Sequence, residues 1–194
     1  ESDPTAPFNA YGRSKLAGER AVAEALDAHL ILRVSWVFSA TGANFVKTML
    51  NLVNRDELRV VNDQQGAPTA ARSIAAVLWR ILERMATTPR FGLYHFGCEP
   101  PTTWHGFAAA IFAGLAEREN RGAMPKLIPI PTAEYPTRAA RPPNSLLNGT
   151  RLQRHYGIGP ADWRVELEKV LAALAPDVVP GSPGATSEPR DGQR

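Results

Sequence analysis

Tyr11 and Lys15 stand four residues apart in the stretch NAYGRSKLAGE, residues 9–19. On a helix, that spacing puts both side chains on one face. A cation beside a phenol favours its ionised form, so such a tyrosine can pass a proton to a carbonyl oxygen and take it back. The lysine can at the same time hydrogen-bond a ribose hydroxyl. The spacing also recurs by chance on many helices, so the surrounding elements decide whether it carries chemistry.

Those elements alternate. Asn9 is a good helix cap, and Ala10 to about Ala28 carries apolar residues at near-helical spacing among good helix formers. HLILRVSWVF (29–38) is short and nearly all aliphatic, as a parallel strand buried on both faces should be. Asn44 can start a helix over FVKTMLNLVN. LRVVND (58–63) reads as a strand, and Thr69 reads as the cap of a helix from about Ala70 to Ala86. GLYHFG (92–97) is a further strand, TTWHGFAAAIFAGLAERE (102–119) an amphipathic helix, and KLIPIPT extended. YPTRAARPPNSLLN is a Pro-rich loop expected over a surface or cleft. Two helices follow, at 150–157 and 161–175, the second capped near Pro160. The class is therefore α/β. From 176 to 194, prolines and glycines recur and large apolar residues nearly vanish, which predicts a disordered tail.

Bulk properties narrow the function. The chain has 194 residues, 44% hydrophobic and 21% charged, which suits one domain with a real core. A net charge of +3 without a Lys/Arg run gives no footprint for nucleic acid. No apolar run approaches the roughly 20 residues that span a bilayer, and the opening Glu1-Ser2-Asp3-Pro4 is polar rather than leader-like. Cys98 is the single cysteine, which fits a reducing, cytoplasmic setting. Four scattered histidines have no metal-ligand spacing.

With these segments assembled, a resemblance emerges. ESDPTAPFNAYGRSKLAGE (1–19) resembles the active-site segment of extended short-chain dehydrogenases/reductases. LRVSWVFSATGANFVKTML (32–50), VVNDQQGAPT (60–69) and RPPNSLL (141–147) together resemble the dTDP-4-dehydrorhamnose reductases of that superfamily. The likeness covers about residues 1–174. It implies a dTDP-sugar substrate, NADPH or NADH as hydride donor, and reduction of the C4 ketone of dTDP-4-dehydro-6-deoxy-L-mannose to dTDP-L-rhamnose, with a homodimer as one possible assembly. Tyr11 matches the proton donor and Lys15 its partner on the nicotinamide ribose. Trp36 matches a tryptophan that packs on the sugar. An indole face suits the apolar face of a deoxy sugar and leaves an N–H to donate, although an ordinary core tryptophan also fits.

Other positions carry two readings. Ser35 lies at a strand's carboxyl end, where α/β sheets place ligands; it suits the nicotinamide end, or a buried serine bonded to backbone. Asn44 suits the nucleotide diphosphate or a helix cap. Gln64 borders the expected sugar-nucleotide cleft, with Gly66 in a strand-to-helix turn. Arg141 suits a phosphate or a surface position. Some relatives carry a glutamate for magnesium after the PT; here Ala70-Ala71-Arg72-Ser73 hold no carboxylate, so no metal site is expected.

Two family parts are missing from these residues. There is no glycine-rich turn for a pyrophosphate, and Ser2 and Thr5 are too close to Tyr11 to serve as the upstream Ser or Thr. The chain thus reads as the C-terminal part of a Rossmann-type fold lacking its N-terminal half, with a small substrate-binding region. Activity is not expected of this chain alone, and its folding alone is doubtful, since missing strands would expose a sheet edge and apolar surface. Rival expectations are an epimerase or dehydratase of the same superfamily, or a non-catalytic relative such as the regulatory subunit of methionine adenosyltransferase.

Overall fold

The computed structural model describes residues 1–119, 123–137 and 139–174. The tail expected over 176–194 lies outside them. Helix α1 (Ala10–Ala25) opens on Asn9, whose extended backbone and side-chain oxygen, accepting from Gly12 N at 2.7 Å, form the expected cap. None of its residues is buried. Strand β1 (Leu30–Arg33) follows, then β2 (Val37–Phe38), α2 (Phe45–Asn51), β3 (Glu57–Val61), β4 (Gln65–Gly66), β5 (Thr69–Ala70) and α3 (Ala71–Met85). The second half runs β6 (Gly92–His95), β7 (Thr102–Thr103), α4 (Trp104–Glu119), β8 (Lys126–Ile130), a 3₁₀ turn (Thr132–Glu134), α5 (Thr150–Tyr156) and α6 (Trp163–Leu174).

Among the described residues three strand pairs are parallel: β1 with β6, β2 with β5, and β3 with β8. The fourth, β4 with β7, is antiparallel. Parallel pairs need crossovers, and helices supply them, so the α/β class holds. The core lies where α4 packs between α2, α6 and the β3–β8 pair. Phe107, Ala108 and Ile111 of α4 have no exposed surface. The Phe107 ring stands edge-on to Phe38 and to Trp163, each at 5.4 Å between centroids.

Several expectations need correction. The apolar run 29–38 is two short strands, because Trp36 adopts a left-handed backbone (φ 49°) that breaks the ladder. Thr69 does not cap α3. It is buried in β5 and its hydroxyl donates to Ala67 O at 3.1 Å, while α3 starts without a side-chain cap. The predicted helix at 45–54 ends at Asn51. The cap of α6 is Asp162, whose carboxylate accepts from Arg164 N at 2.8 Å, rather than Pro160. The Pro-rich segment does run along the site: Gln65 N donates to Pro143 O and Ser145 N to Gln65 O, each at 2.8 Å.

Candidate active site

Tyr11 and Lys15 share a face of α1 as the spacing requires. Tyr11 is 71% exposed, and the Lys15 ammonium stands 5.6 Å from the centre of its ring. The cation therefore lies over the ring, a cation–π geometry. Two polar contacts place this helix. Arg33, at the end of β1, donates from Nε and Nη2 to the two Glu19 oxygens at 2.7 and 2.5 Å. Asn9 Nδ2 donates to Ala140 O at 3.0 Å, joining the start of α1 to the segment that carries Arg141. The hydrogen bonds from Arg33 hold the Glu19 carboxyl below its ordinary range, against opposition from its partial burial.

At the carboxyl ends of β1 and β6, two buried polar side-chain atoms have no partner among the described residues, Ser35 Oγ and His95 Nε2. Burial is the largest influence on His95 and pushes its pKa down, favouring the neutral ring. Ser35 is not the backbone-satisfied serine of the alternative reading. An orphaned buried hydroxyl at a parallel sheet's carboxyl end is a place for a ligand's polar group. Ser35, Tyr11 and Lys15 carry the groups that the amide and ribose hydroxyls of a nicotinamide nucleotide would need.

Trp36 is gripped on both sides. A Cβ built on Gly66 would lie 2.3 Å from Trp36 Cε2 and 2.6–2.7 Å from Cζ2 and Cδ2, so the Gly66 backbone sits directly over the ring. Gly66 is thus needed for close approach, not for a turn. Trp104 stacks on Trp36 with centroids 3.6 Å apart and planes 12° from parallel. A ring so close leaves no room for backbone on the same side, so Trp104 covers the opposite face. The expected sugar-stacking face is already occupied within the protein. A left-handed backbone at a bulky residue costs about 1–3 kcal/mol and persists only where surroundings over-determine it; here Gly66, Trp104 and the bond from Thr69 N to Trp36 O (3.0 Å) do so.

Gln64 explains how Trp104 is held. It is 6% exposed, and its Oε1 accepts from Trp104 Nε1 at 3.1 Å while its Nε2 donates to Thr132 Oγ1 at 3.0 Å. Thr132 Oγ1 in turn donates to Asp63 at 2.6 Å. Asn44 is a cap: Oδ1 accepts from Val46 N (3.1 Å) and Lys47 N (3.4 Å), and Nδ2 donates to Ser39 O (2.8 Å). It thereby sets Phe45, whose ring lies 4.7 Å from that of Trp104.

Trp104 and Gln64 open onto a cleft of about 360 Å³. Phe45, Met49 and Val60 give it an apolar wall, and Arg59, Tyr135 and Arg141 a polar mouth. Arg59 is ion-paired with Glu134 of the 3₁₀ turn. A larger cavity of about 440 Å³ lies by Cys98, Leu147 and Ile158. Its described lining holds no lysine or arginine to meet a phosphate, and burial pushes the Cys98 thiol up, away from reactivity. The smaller cleft is therefore the candidate site. Sequence reasoning had placed Trp104 only as a helix residue and had not singled out Arg59 or Tyr135; an aromatic at the start of a helix, TTW, was the available signal.

Comparison with known proteins bears on the family. The model of the RmlD substrate binding domain family matches residues 1–175. A dTDP-4-dehydrorhamnose reductase of Burkholderia thailandensis is 48% identical over 174 residues, covering 84% of this chain and 58% of its own length. The crystal structure of a dTDP-4-dehydrorhamnose reductase from Clostridium acetobutylicum superposes with TM-score 0.81 at 33% identity, over 90% of this chain and 59% of that one. A Bacillus anthracis dTDP-4-dehydrorhamnose reductase, solved with NADP, gives 0.73 at 34% identity, over 89% and 58%. The chain thus spans somewhat under six-tenths of the relatives it matches. With residues 1–175 matched, a span that includes every residue the structure describes, it belongs to the RmlD substrate binding domain family.

Proposed function

We propose that the protein carrying this chain is a dTDP-4-dehydrorhamnose reductase, and that this chain supplies its sugar-nucleotide site and two catalytic residues. The observation that carries the reading is the joint presence of Tyr11 and Lys15 on an exposed helix face and an aromatic cleft edged by Arg141. The Tyr11 hydroxyl gives its proton to the C4 ketone oxygen, and the Lys15 ammonium stabilises the phenolate left behind. NADPH or NADH, when bound, supplies hydride to C4. Lys15 and Ser35 orient the nicotinamide end. Arg141 and Arg59 at the mouth suit the diphosphate, Gln64 and Trp36 border the sugar, and Asn44 acts through Phe45. Identity of 48% to a reductase favours this over an epimerase or dehydratase of the same fold.

The finer setting is part of the proposal: a cytoplasmic enzyme of polysaccharide synthesis, with exposed Val22 and Leu26 offering surface to a second subunit. Sedimentation of the full-length protein reads that assembly; a monomer at all concentrations would refute the dimer. The test of function is NADPH consumption by the full-length protein with dTDP-4-dehydro-6-deoxy-L-mannose. Tyr11→Phe should lower kcat by about 10²–10⁴-fold. An unchanged rate would remove Tyr11 as the acid, and sugar isomerised without NADPH consumed would point to an epimerase.

A further inference from the structure

We infer that the surface shared by α3, α5 and the amino end of β6 is a docking site for an acidic segment of a partner protein. Five arginines gather there: Arg80 and Arg84 on α3, Arg90 just before β6, and Arg151 and Arg154 on α5. Contacts bring them together. Arg80 Nη2 donates to Gly157 O at 3.3 Å, and Arg84 Nη2 lies 3.9 Å from where a Gly157 Cβ would stand. Arg151 lies over the Tyr94 ring, 5.0 Å from its centre, and its Nη2 is 3.4 Å from a Cβ built on Gly92. The Tyr94 hydroxyl meets His155 Nδ1 at 2.9 Å, and the Tyr156 hydroxyl donates to Arg90 O. After burial, the charges of Arg90, Arg151 and Arg154 push the His155 ring below its ordinary range, with Glu1 opposing them. Among the described residues none of the five arginines forms an ion pair. The field over this surface is positive.

The same surface selects its partner. Its guanidiniums are spread over two helices and the segment between them, so they suit an extended anion rather than a single ion. Guanidinium forks pair bidentately with carboxylates. Exposed apolar side chains accompany them: Trp79 and Leu82 on α3, 65% and 61% exposed, and Phe91 next to Arg90, 41% exposed. Tryptophan, phenylalanine and arginine together are the composition of protein interfaces. Apolar residues set between acids would use Leu82 and Phe91, where a phosphate backbone would not. The platform is also preset. Tyr94 is wholly buried, and its hydroxyl, like that of Tyr156, donates to Arg90 O, so docking requires little further ordering. The surface lies around the start of β6, whereas Ser35 lies past the carboxyl end of β1. A partner seated there leaves the candidate active site open.

The test uses the full-length protein and the fluorescence anisotropy of a labelled peptide of Asp-Glu-Leu repeats. An Asp-Glu-Ser peptide and a single-stranded oligothymidylate of equal charge are run beside it. The leucine peptide should bind tightest at low ionic strength and weaken as salt is added. Arg84→Glu combined with Arg154→Glu should weaken it about tenfold or more, and Arg164→Glu, on α6, should leave it unchanged. Leu82→Ser should weaken the leucine peptide several-fold and leave the serine peptide as it was. Equal losses in the paired variant and in Arg164→Glu would mean unspecific attraction and overturn the inference. Tightest binding by the oligothymidylate would make the surface one for nucleic acid, which also overturns it. So would no binding of the leucine peptide, binding indifferent to the paired reversal, or equal binding of the two peptides. Should the reversals prevent folding, Arg84→Gln with Arg154→Gln removes the charges alone; a several-fold loss supports the inference, and no loss overturns it.

Discussion

At the residue scale, Gly66 has no room for a side chain. Its Cβ-to-be lies 2.3 Å from the Trp36 ring, and that ring cannot retreat because Trp104 is stacked behind it. Gly66→Ala must therefore push apart the two indoles or the β4–β7 pairing. Overpacking of this kind costs about 1–3 kcal/mol, so the urea midpoint should fall and the near-ultraviolet circular dichroism of the stacked pair should weaken. A variant with native stability and spectrum would mean that the site is looser than the geometry requires. This coupling shows where sequence reading stops. Tyr11 and Lys15 were legible because their relation is local, one helical turn. The Asn44 cap was legible for the same reason. The partners of Gln64 and Trp36 lie far along the chain, 40 residues between Gln64 and Trp104 and 68 between Trp36 and Trp104, and no periodicity encodes a hydrogen bond or a stacked pair at such separations. Thr69 looked like a cap because caps are judged by residue type; its burial in β5 decided otherwise.

At the element scale, helix α1 depends on polar tethers, since it buries none of its residues. The Glu19–Arg33 pair links it to the sheet with two parallel hydrogen bonds. Because the pair holds the Glu19 carboxyl below its ordinary range, its contribution is complete above the unfolded-state pKa. It is lost as pH falls through the lowered, folded-state value. A partly exposed pair contributes about 1 kcal/mol at most, enough to loosen a helix with little else to hold it. Amide exchange in α1 should therefore quicken as pH drops below the ordinary carboxylate range, after correction for intrinsic rates. Glu19→Gln should give an α1 that is loose at neutral pH and shows no such acid step. An acid step that survives in Glu19→Gln would assign it to another carboxylate. The alternation of helix and strand that defined the class came from patterns of a few residues. The break at Trp36 did not, because a left-handed tryptophan is sustained by contacts from β4, β5 and α4 together.

At the scale of the whole molecule, α4 joins stability to function. Its first residue is Trp104, and one turn further Phe107 is wholly buried, touching the rings of Phe38, Phe45 and Trp163. A defect in the core is therefore transmitted to the sugar site along a rigid helix. Phe107→Ala should cost about 3–5 kcal/mol, and the loss of the Trp36–Trp104 stack should follow the same denaturation curve as the loss of helix, because one cluster contains both. Helix α1 stands outside that cluster. Hydrogen exchange of this chain should accordingly rank the elements: slowest in α4, where opening requires disrupting the core, and fastest in α1, where opening breaks only surface contacts. Protection of α1 equal to that of α4 would mean that the helix carrying Tyr11 and Lys15 belongs to the cooperative core after all. The expected order, with α1 opening first, would mean that Tyr11 and Lys15 are held in place by what binds over them as much as by the sheet beneath.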